Sequence, residues 1–262
     1  MTDSPPLPHA SDRWAFFLDI DGTLVEFAPR PDAVRIDPAT VQLVDRLHAG
    51  TGGAVALVSG RPIVAVDDLF APLCLPVAGQ HGVERRDARG HLHVHSPAPE
   101  ALRRAAAALA AATARHTGLV FEDKVLSLTL HYRLAPQLES YVRETVAAVA
   151  AELGDGYELL NGKMMIEVKP AGRSKGAAIG DFLREAPFER RLPVFIGDDT
   201  TDEFGFGAVN RMGGHSVKVG AGETAARWRL ADPQAVRAWL ARSAAALGAG
   251  TSTLRQLRGE VE

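Results

Sequence analysis

Three short apolar runs, each stopping abruptly at a polar, glycine-containing loop, constrain this chain more than anything else in it. The first, Trp14-Ala15-Phe16-Phe17-Leu18, runs into Asp19-Ile20-Asp21-Gly22-Thr23-Leu24. The second, Ala54 to Val58, runs into Ser59-Gly60-Arg61-Pro62. The third, Pro193 to Ile196, runs into Gly197-Asp198-Asp199-Thr200-Thr201-Asp202-Glu203. A strand with one face in water alternates apolar and polar residues. An unbroken apolar run of this length reads as a strand covered on both faces, the condition of a parallel sheet. Helical patterns at 38–48, 63–70, 175–185 and 203–209 fall between and after the runs. Alternating strands and helices predict an open α/β sheet with parallel strands. Ligands of such sheets bind beyond the carboxyl ends of the strands, where all three loops lie.

The middle of the chain breaks this rhythm. Residues 83–86 and 91–95 flank the turn Asp87-Ala88-Arg89-Gly90 and predict a hairpin. An Ala-rich helix to about 116 follows, then a strand pair at 119–122 and 125–133, a helix at 136–153, and strands at 157–160 and 163–168. Residues 98–169 are therefore expected to form an inserted α+β domain, leaving 1–97 and 170–262 as the core. The alternative is that this block extends the main sheet. The tail after Gly248 is polar with little pattern and is expected to lack regular structure.

Composition narrows the function classes. The chain has 262 residues, 46% of them hydrophobic and 23% charged, enough to bury a substantial core. A net charge of -3 provides no global basic field, so neither nucleic acid nor a membrane surface is an expected partner. Anion binding must come from local Lys, Arg and backbone N–H groups. Cys74 is the only cysteine, which excludes an internal disulfide and a multi-thiolate metal centre. Set in Leu73-Cys74-Leu75, it is expected to be a buried small hydrophobe. The N-terminal segment lacks the pattern of a signal peptide, and no apolar stretch reaches the roughly 20 residues of a membrane span. A cytoplasmic protein, acting as a monomer, is the expectation.

The loops carry the chemistry. Hydrolysis of a phosphate ester needs a nucleophile, a proton donor for the leaving oxygen, and positive charge for the phosphoryl oxygens. Asp19 can attack phosphorus and form an aspartyl-phosphate. Asp21, two residues on, can protonate the leaving alkoxide and then deprotonate a water. Taken alone, the pair reads equally well as turn-capping aspartates. Asp198, Asp199 and Asp202 add three carboxylates, and such a cluster repels itself unless a cation sits within it. Mg²⁺ prefers hard oxygen ligands. Asp19 and Asp198 are its expected side-chain ligands, with the Asp21 carbonyl, and with Asp199 or Asp202 either on the metal or bracing it. Ser59 and the N–H groups after it open a helix and can hold phosphoryl oxygens, or the serine can simply cap. Lys175 also sits at a helix start, where a cation is disfavoured unless an anion is present.

These four segments, in this order, resemble the four motifs of haloacid-dehalogenase-superfamily phosphatases. The resemblance implies a Rossmann-like core and an inserted cap that closes over the site and selects substrate. It extends to the trehalose-6-phosphate phosphatases. The acidic run 197–203 is similar to theirs, as are Ser59-Gly60-Arg61, Gly79-Gln80-His81-Gly82, Glu122-Asp123-Lys124, His131-Tyr132-Arg133 and Lys163-Met164-Met165-Ile166-Glu167-Val168-Lys169-Pro170. That resemblance implies a sugar-phosphate substrate, Mg²⁺, catalytic Asp19, Asp21, Ser59 and Lys175, and substrate contacts from Arg61, His81, Glu122, Lys124, Arg133, Lys163 and Glu167. Lys163 and Glu167 are four apart and would share one face of a strand. The competing readings are another sugar phosphatase or phosphomutase, and a catalytically silent sugar-phosphate-binding subunit. Trp14 is expected in the core, Trp228 and Trp239 in a C-terminal helical region as packing residues. His91, His93 and His95 are expected on a hairpin surface.

Overall fold

The computed structural model describes residues 7–26, 34–162 and 164–257. The chain divides into two compact units, one formed by Met1–Leu92 with Ser174–Glu262 and the other by His93–Arg173.

The first unit is built on an eight-stranded sheet whose last strand in the order, Leu92–Val94, carries the chain across the division at Leu92–His93. Its strands are β1 (Trp14–Leu18), β2 (Val55–Val58), β3 (Val77–Gly79), β4 (Glu84–Arg86), β5 (Leu92–Val94), β10 (Leu192–Gly197), β11 (His215–Val219) and β12 (Trp228–Leu230). They lie in the order β12-β11-β10-β1-β2-β3-β4-β5. Every pairing from β12 to β3 is parallel, and β3–β4 is antiparallel. The apolar runs behave as a parallel sheet requires. All five residues of β1 and all four of β2 are buried. Trp14, Phe16 and Leu18 pack on one face, in a cluster with Val44, Leu47 and Leu240. Ala15 and Phe17 pack on the other, with Ile179, Phe182 and Phe206. The helices that supply those partners are α1 (Pro38–Gly50) and α7 (Pro233–Leu257) on the first face, and α5 (Lys175–Phe182) and α6 (Glu203–Arg211) on the second. A further helix, α2 (Ile63–Phe70), follows β2. Register places Leu18 beside Ile196 on one side and Leu57 on the other. The loops after β10, β1 and β2 therefore leave the sheet together.

The second unit holds β6 (Val120–Asp123), β7 (Leu128–His131), β8 (Tyr157–Gly162) and β9 (Met165–Pro170), with helices α3 (Pro99–Thr113) and α4 (Glu139–Leu153). Its sheet is antiparallel throughout, in the order β6-β7-β9-β8. Leu128, Leu130, Ile166 and Val168 bury one face against Leu102, Leu109, Val142 and Val146 of the two helices. The other face is left to the polar residues of the same strands, because side chains alternate along a strand.

Four local expectations are corrected. Cys74 is exposed, not buried; Leu75 beside it is the residue that enters the core, and Leu73 packs against that core part-buried. Trp228 lies on β12 and not on a helix, while Trp239 is buried on α7 and Trp14 on β1. The tail is not irregular after Gly248: α7 continues to Leu257. Once a helix is nucleated each added residue gains a bond, and Ala244, Ala245 and Ala246 carry this one forward. Strand β9 begins only at Met165, after Met164 at φ 63. Alternation counted back from Glu167 therefore stops short of Lys163, which lies outside the described residues. Among the described residues no helix is long and apolar enough to cross a membrane.

Candidate active site

Asp19 leaves the carboxyl end of β1 with its N–H donated to the Ile196 carbonyl at 3.0 Å. It is only 3% exposed. The Lys175 ammonium donates to Asp19 Oδ1 and to Asp202 Oδ1, each at 2.6 Å. The Thr23 hydroxyl donates to Asp19 Oδ2 at 3.2 Å. Both oxygens of Asp19 are thus aimed. Lys175 opens α5, whose cap is Ser174; its hydroxyl accepts from the Ala177 N–H at 3.1 Å. The helix end disfavours a cation, and two carboxylates offset that. Burial acts to lower the Lys175 pKa, but the charges of Asp19 and Asp202 outweigh it and the ammonium sits above its ordinary value. Burial pushes the Asp19 carboxyl well above the usual carboxylate range, with Lys175 opposing and Asp202 and Asp198 adding to the rise.

Asp202 is wholly buried and both of its oxygens are engaged. Its Oδ2 accepts from the N–H groups of Asp198 and Asp199 at 2.9 Å each, while Oδ1 takes Lys175. It can approach this closely because residue 197 is glycine: a Cβ there would stand 2.3 Å from Asp202 Cγ. Asp199 turns the other way, and its Oδ1 caps Thr200 at 2.8 Å. Asp198 is different. Its Oδ1 is buried with no hydrogen-bond partner among the described residues. Burial, then Asp202, pushes its carboxyl up to about 7. Asp19, Asp198 and Asp202 each offer an oxygen within 4.8 Å of the others. An orphaned carboxylate oxygen beside a second carboxylate fits a hard divalent cation such as Mg²⁺.

The loop after β2 meets this cluster. Ser59 is buried, and its hydroxyl accepts from the Arg61 N–H at 3.1 Å. The Arg61 guanidinium forks onto Asp21, Nε to Oδ2 at 2.6 Å and Nη2 to Oδ1 at 2.7 Å, the bidentate geometry that makes such pairs strong. His81 packs so closely on Gly60 that a Cβ at residue 60 would lie 2.8 Å from the imidazole ring. Gln80 and His81 both hold positive φ, 46° and 58°. Non-glycine residues pay for that conformation in strain, and it clusters at functional sites. Glu84 fastens the bend, its Oε1 accepting from Gln80 Nε2 and from the Ile63 N–H at the start of α2, both at 3.0 Å.

In the second unit three expected sugar contacts share the polar sheet face. Glu167 is fully buried, and its Oε1 accepts from Ser127 at 2.5 Å and from Lys124 at 3.3 Å. Glu122 Oε2 meets His131 Nε2 at 2.9 Å. Arg133 is exposed beyond the end of β7. Burial raises the Glu122 pKa, but the His131 hydrogen bond and the Lys124 charge overcome it and hold the carboxyl below its ordinary value. A depressed carboxylate contributes stability that is present above its unfolded pKa and is lost as pH falls through the folded one. Glu122→Gln is therefore expected to destabilise the protein at neutral pH, the difference holding down to about pH 4.5, the ordinary glutamate value, and shrinking as pH falls further. Denaturant melts of both proteins across pH 3 to 7 check this; a pH-independent difference would contradict it.

Comparison with known proteins gives the family. The trehalose-phosphatase family model matches residues 17–234. The chain belongs to the trehalose-phosphatase family. It is 45% identical to the trehalose-6-phosphate phosphatase of Escherichia coli K12 over 241 residues, 92% of this chain and 89% of that protein. Its fold matches the crystal structure of a trehalose-6-phosphate phosphatase related protein with a TM-score of 0.77 at 27% identity, covering 91% of this chain and 99% of that one. A haloacid-dehalogenase-like hydrolase from B. subtilis, 13% identical, shares the fold alone, with a TM-score of 0.62 over 87% of this chain and 98% of that one.

Two residues of this trehalose-phosphatase-family site escaped sequence reasoning. Thr23 aims the Asp19 carboxylate, and Lys218 donates to the Asp198 carbonyl from β11. Lys218 had a signal: a lysine between Val217 and Val219 in a buried strand needs a partner. Thr23 had none beyond its place in the turn.

Proposed function

We propose that this chain is a trehalose-6-phosphate phosphatase, a phosphoric monoester hydrolase that converts trehalose 6-phosphate and water into trehalose and phosphate. The observation that carries the reaction is the buried Asp19 carboxylate, gripped by Lys175 and Thr23 at the carboxyl end of the central strand. The substrate follows from the E. coli relative.

In the first step an Asp19 oxygen forms a bond to phosphorus as the bond to the sugar oxygen breaks. Asp21 delivers a proton to that leaving oxygen. In the second, water attacks phosphorus, Asp21 takes its proton, and Asp19 is released with inorganic phosphate. An incoming phosphate offers Arg61 a second anion, so substrate binding draws the guanidinium off Asp21 and frees it for proton transfer. Lys175 and the N–H groups after Ser59 supply fixed positive charge to the transferring group. Mg²⁺, held by Asp19 and Asp198 with the Asp21 carbonyl, would add charge for the phosphoryl oxygens. Asp202 braces that loop. The second unit acts as the specificity cap. Glu122, Lys124, Arg133, Lys163 and Glu167 read the sugar phosphate there, and Arg61 and His81 contribute from the core. The lone cysteine suits a cytoplasmic setting.

Phosphate release across a panel of sugar phosphates, with and without Mg²⁺, tests the reading. Trehalose 6-phosphate is expected to exceed glucose 6-phosphate in kcat/KM by at least about 10²-fold, since a site built on hydrogen bonds rejects analogues that leave them unmade. Chelation is expected to cost roughly 10³-fold, several kcal/mol of barrier. Equal rates across the panel would point to a general sugar phosphatase.

A further inference from the structure

The polar face of the second unit contains a hydroxyl that the chain itself leaves unanswered. Register across β6, β7 and β9 sets Thr129 directly between Glu122 and Glu167. Side chains facing one another in this way stand about 5 Å apart at Cβ, so a threonine between two carboxylates has acceptors on both sides. Thr129 uses neither. It is 0% exposed, and its Oγ1 has no hydrogen-bond partner among the described residues.

The cause lies two residues to either side of Thr129. Glu122 is drawn toward His131, at 2.9 Å, and Glu167 toward Ser127, at 2.5 Å, and Lys124, at 3.3 Å. The two carboxylates lean to opposite rows of the same face, and neither hydrogen-bonds the Thr129 hydroxyl between them. A buried hydroxyl without a partner is costly and uncommon. Two carboxylates that accept thus flank one hydroxyl that both donates and accepts. The ligand chemistry that answers all three is a polyol, whose hydroxyls donate to the carboxylates while one oxygen accepts from threonine.

We infer that the Thr129 hydroxyl bonds directly to the sugar portion of the substrate and helps set substrate choice. The inference rests on the sugar-phosphate reading given above. Thr129 touches no reacting atom in this scheme, so it governs binding and selectivity and leaves the chemical step alone.

Thr129→Val keeps the shape and removes the hydroxyl. The KM for trehalose 6-phosphate is expected to rise roughly 3- to 10-fold, the worth of one neutral hydrogen bond. Turnover of p-nitrophenyl phosphate, which has no sugar, should be unchanged. The Tm of the ligand-free protein should hold or rise, because the lost hydroxyl had no partner. Thr129→Ser should bring KM back to within about twofold. A wild-type KM in Thr129→Val overturns the inference, as when a buried water holds the hydroxyl. So does an equal loss on both substrates, a lowered Tm or failure to fold, since each would make the hydroxyl structural. Wild-type enzyme runs in the same series. If it shows no preference for trehalose 6-phosphate, the functional reading falls and this inference with it. If it does and Thr129→Val keeps the whole preference, the inference falls alone.

Discussion

Asp19→Asn is expected to abolish hydrolysis of trehalose 6-phosphate, a loss on the order of 10⁵-fold, the scale seen when an enzyme loses its nucleophile. The amide has the same shape but no charge with which to attack phosphorus. The fold should survive. Burial already holds the Asp19 carboxyl well above its ordinary range, so its charge opposes folding and is retained for chemistry. Thr23 can still donate to the amide oxygen, and Lys175 keeps Asp202 at 2.6 Å. Two measurements check the claim together. Acid quenching with labelled substrate should trap a phosphoenzyme in the wild type and none in the variant, and the variant's melting curve should stay near that of the wild type. A folded Asp19→Asn protein that kept full Mg²⁺-dependent turnover would sink the mechanism.

Lys175→Met should have the largest effect on stability. Lys175 is the shared cation between Asp19 and Asp202, and all three are nearly or wholly buried. Removing it leaves two carboxylates facing each other in a dry site. Breaking a buried pair by deleting one partner costs about 3–5 kcal/mol. For a chain of this size each kcal/mol moves Tm by about 2–4 °C, so a drop of roughly 6–20 °C is expected. Phosphate release should fall with it, because the same ammonium neutralises the transferring group. A second change separates the causes. In Lys175→Met with Asp202→Asn one of the stranded charges is gone, so part of the lost stability should return, a coupling that a double-mutant cycle measures. Activity should not return. A single variant that melts within 2 °C of the wild type would show that the cluster is solvated.

The elements of the core were largely legible because their signals are local. The unbroken run 14–18 could hardly face water on either side, and β1 is buried at every position. Errors fell where tertiary packing overrode a local reading. Leu73-Cys74-Leu75 looks uniformly apolar, yet the two leucines take the places against the core and Cys74 is exposed. The strand read from residue 163 begins only at Met165, because Met164 holds a positive φ that a strand does not adopt. The candidate site divides in the same way. The acidic residues after β10 could be picked out as a cluster, but not sorted. Only the folded loop shows Asp202 bound on both oxygens, Asp199 capping its own turn, and Asp198 with an oxygen to spare.

The sequence by itself determined the architecture's grammar: apolar runs that must be buried on both faces, and glycine-bearing turns that put carboxylates at their ends. It also determined family membership, through four segments whose order and residue types are readable one segment at a time. The tertiary structure decided the partnerships. Lys175 reaches Asp19 across 156 positions, and Arg61 reaches Asp21 across 40. Strand register alone sets Thr129 between Glu122 and Glu167. Ion pairs and hydrogen bonds depend on distances of a few ångströms. Those distances come from the register of strands and the path of loops, which no single segment encodes.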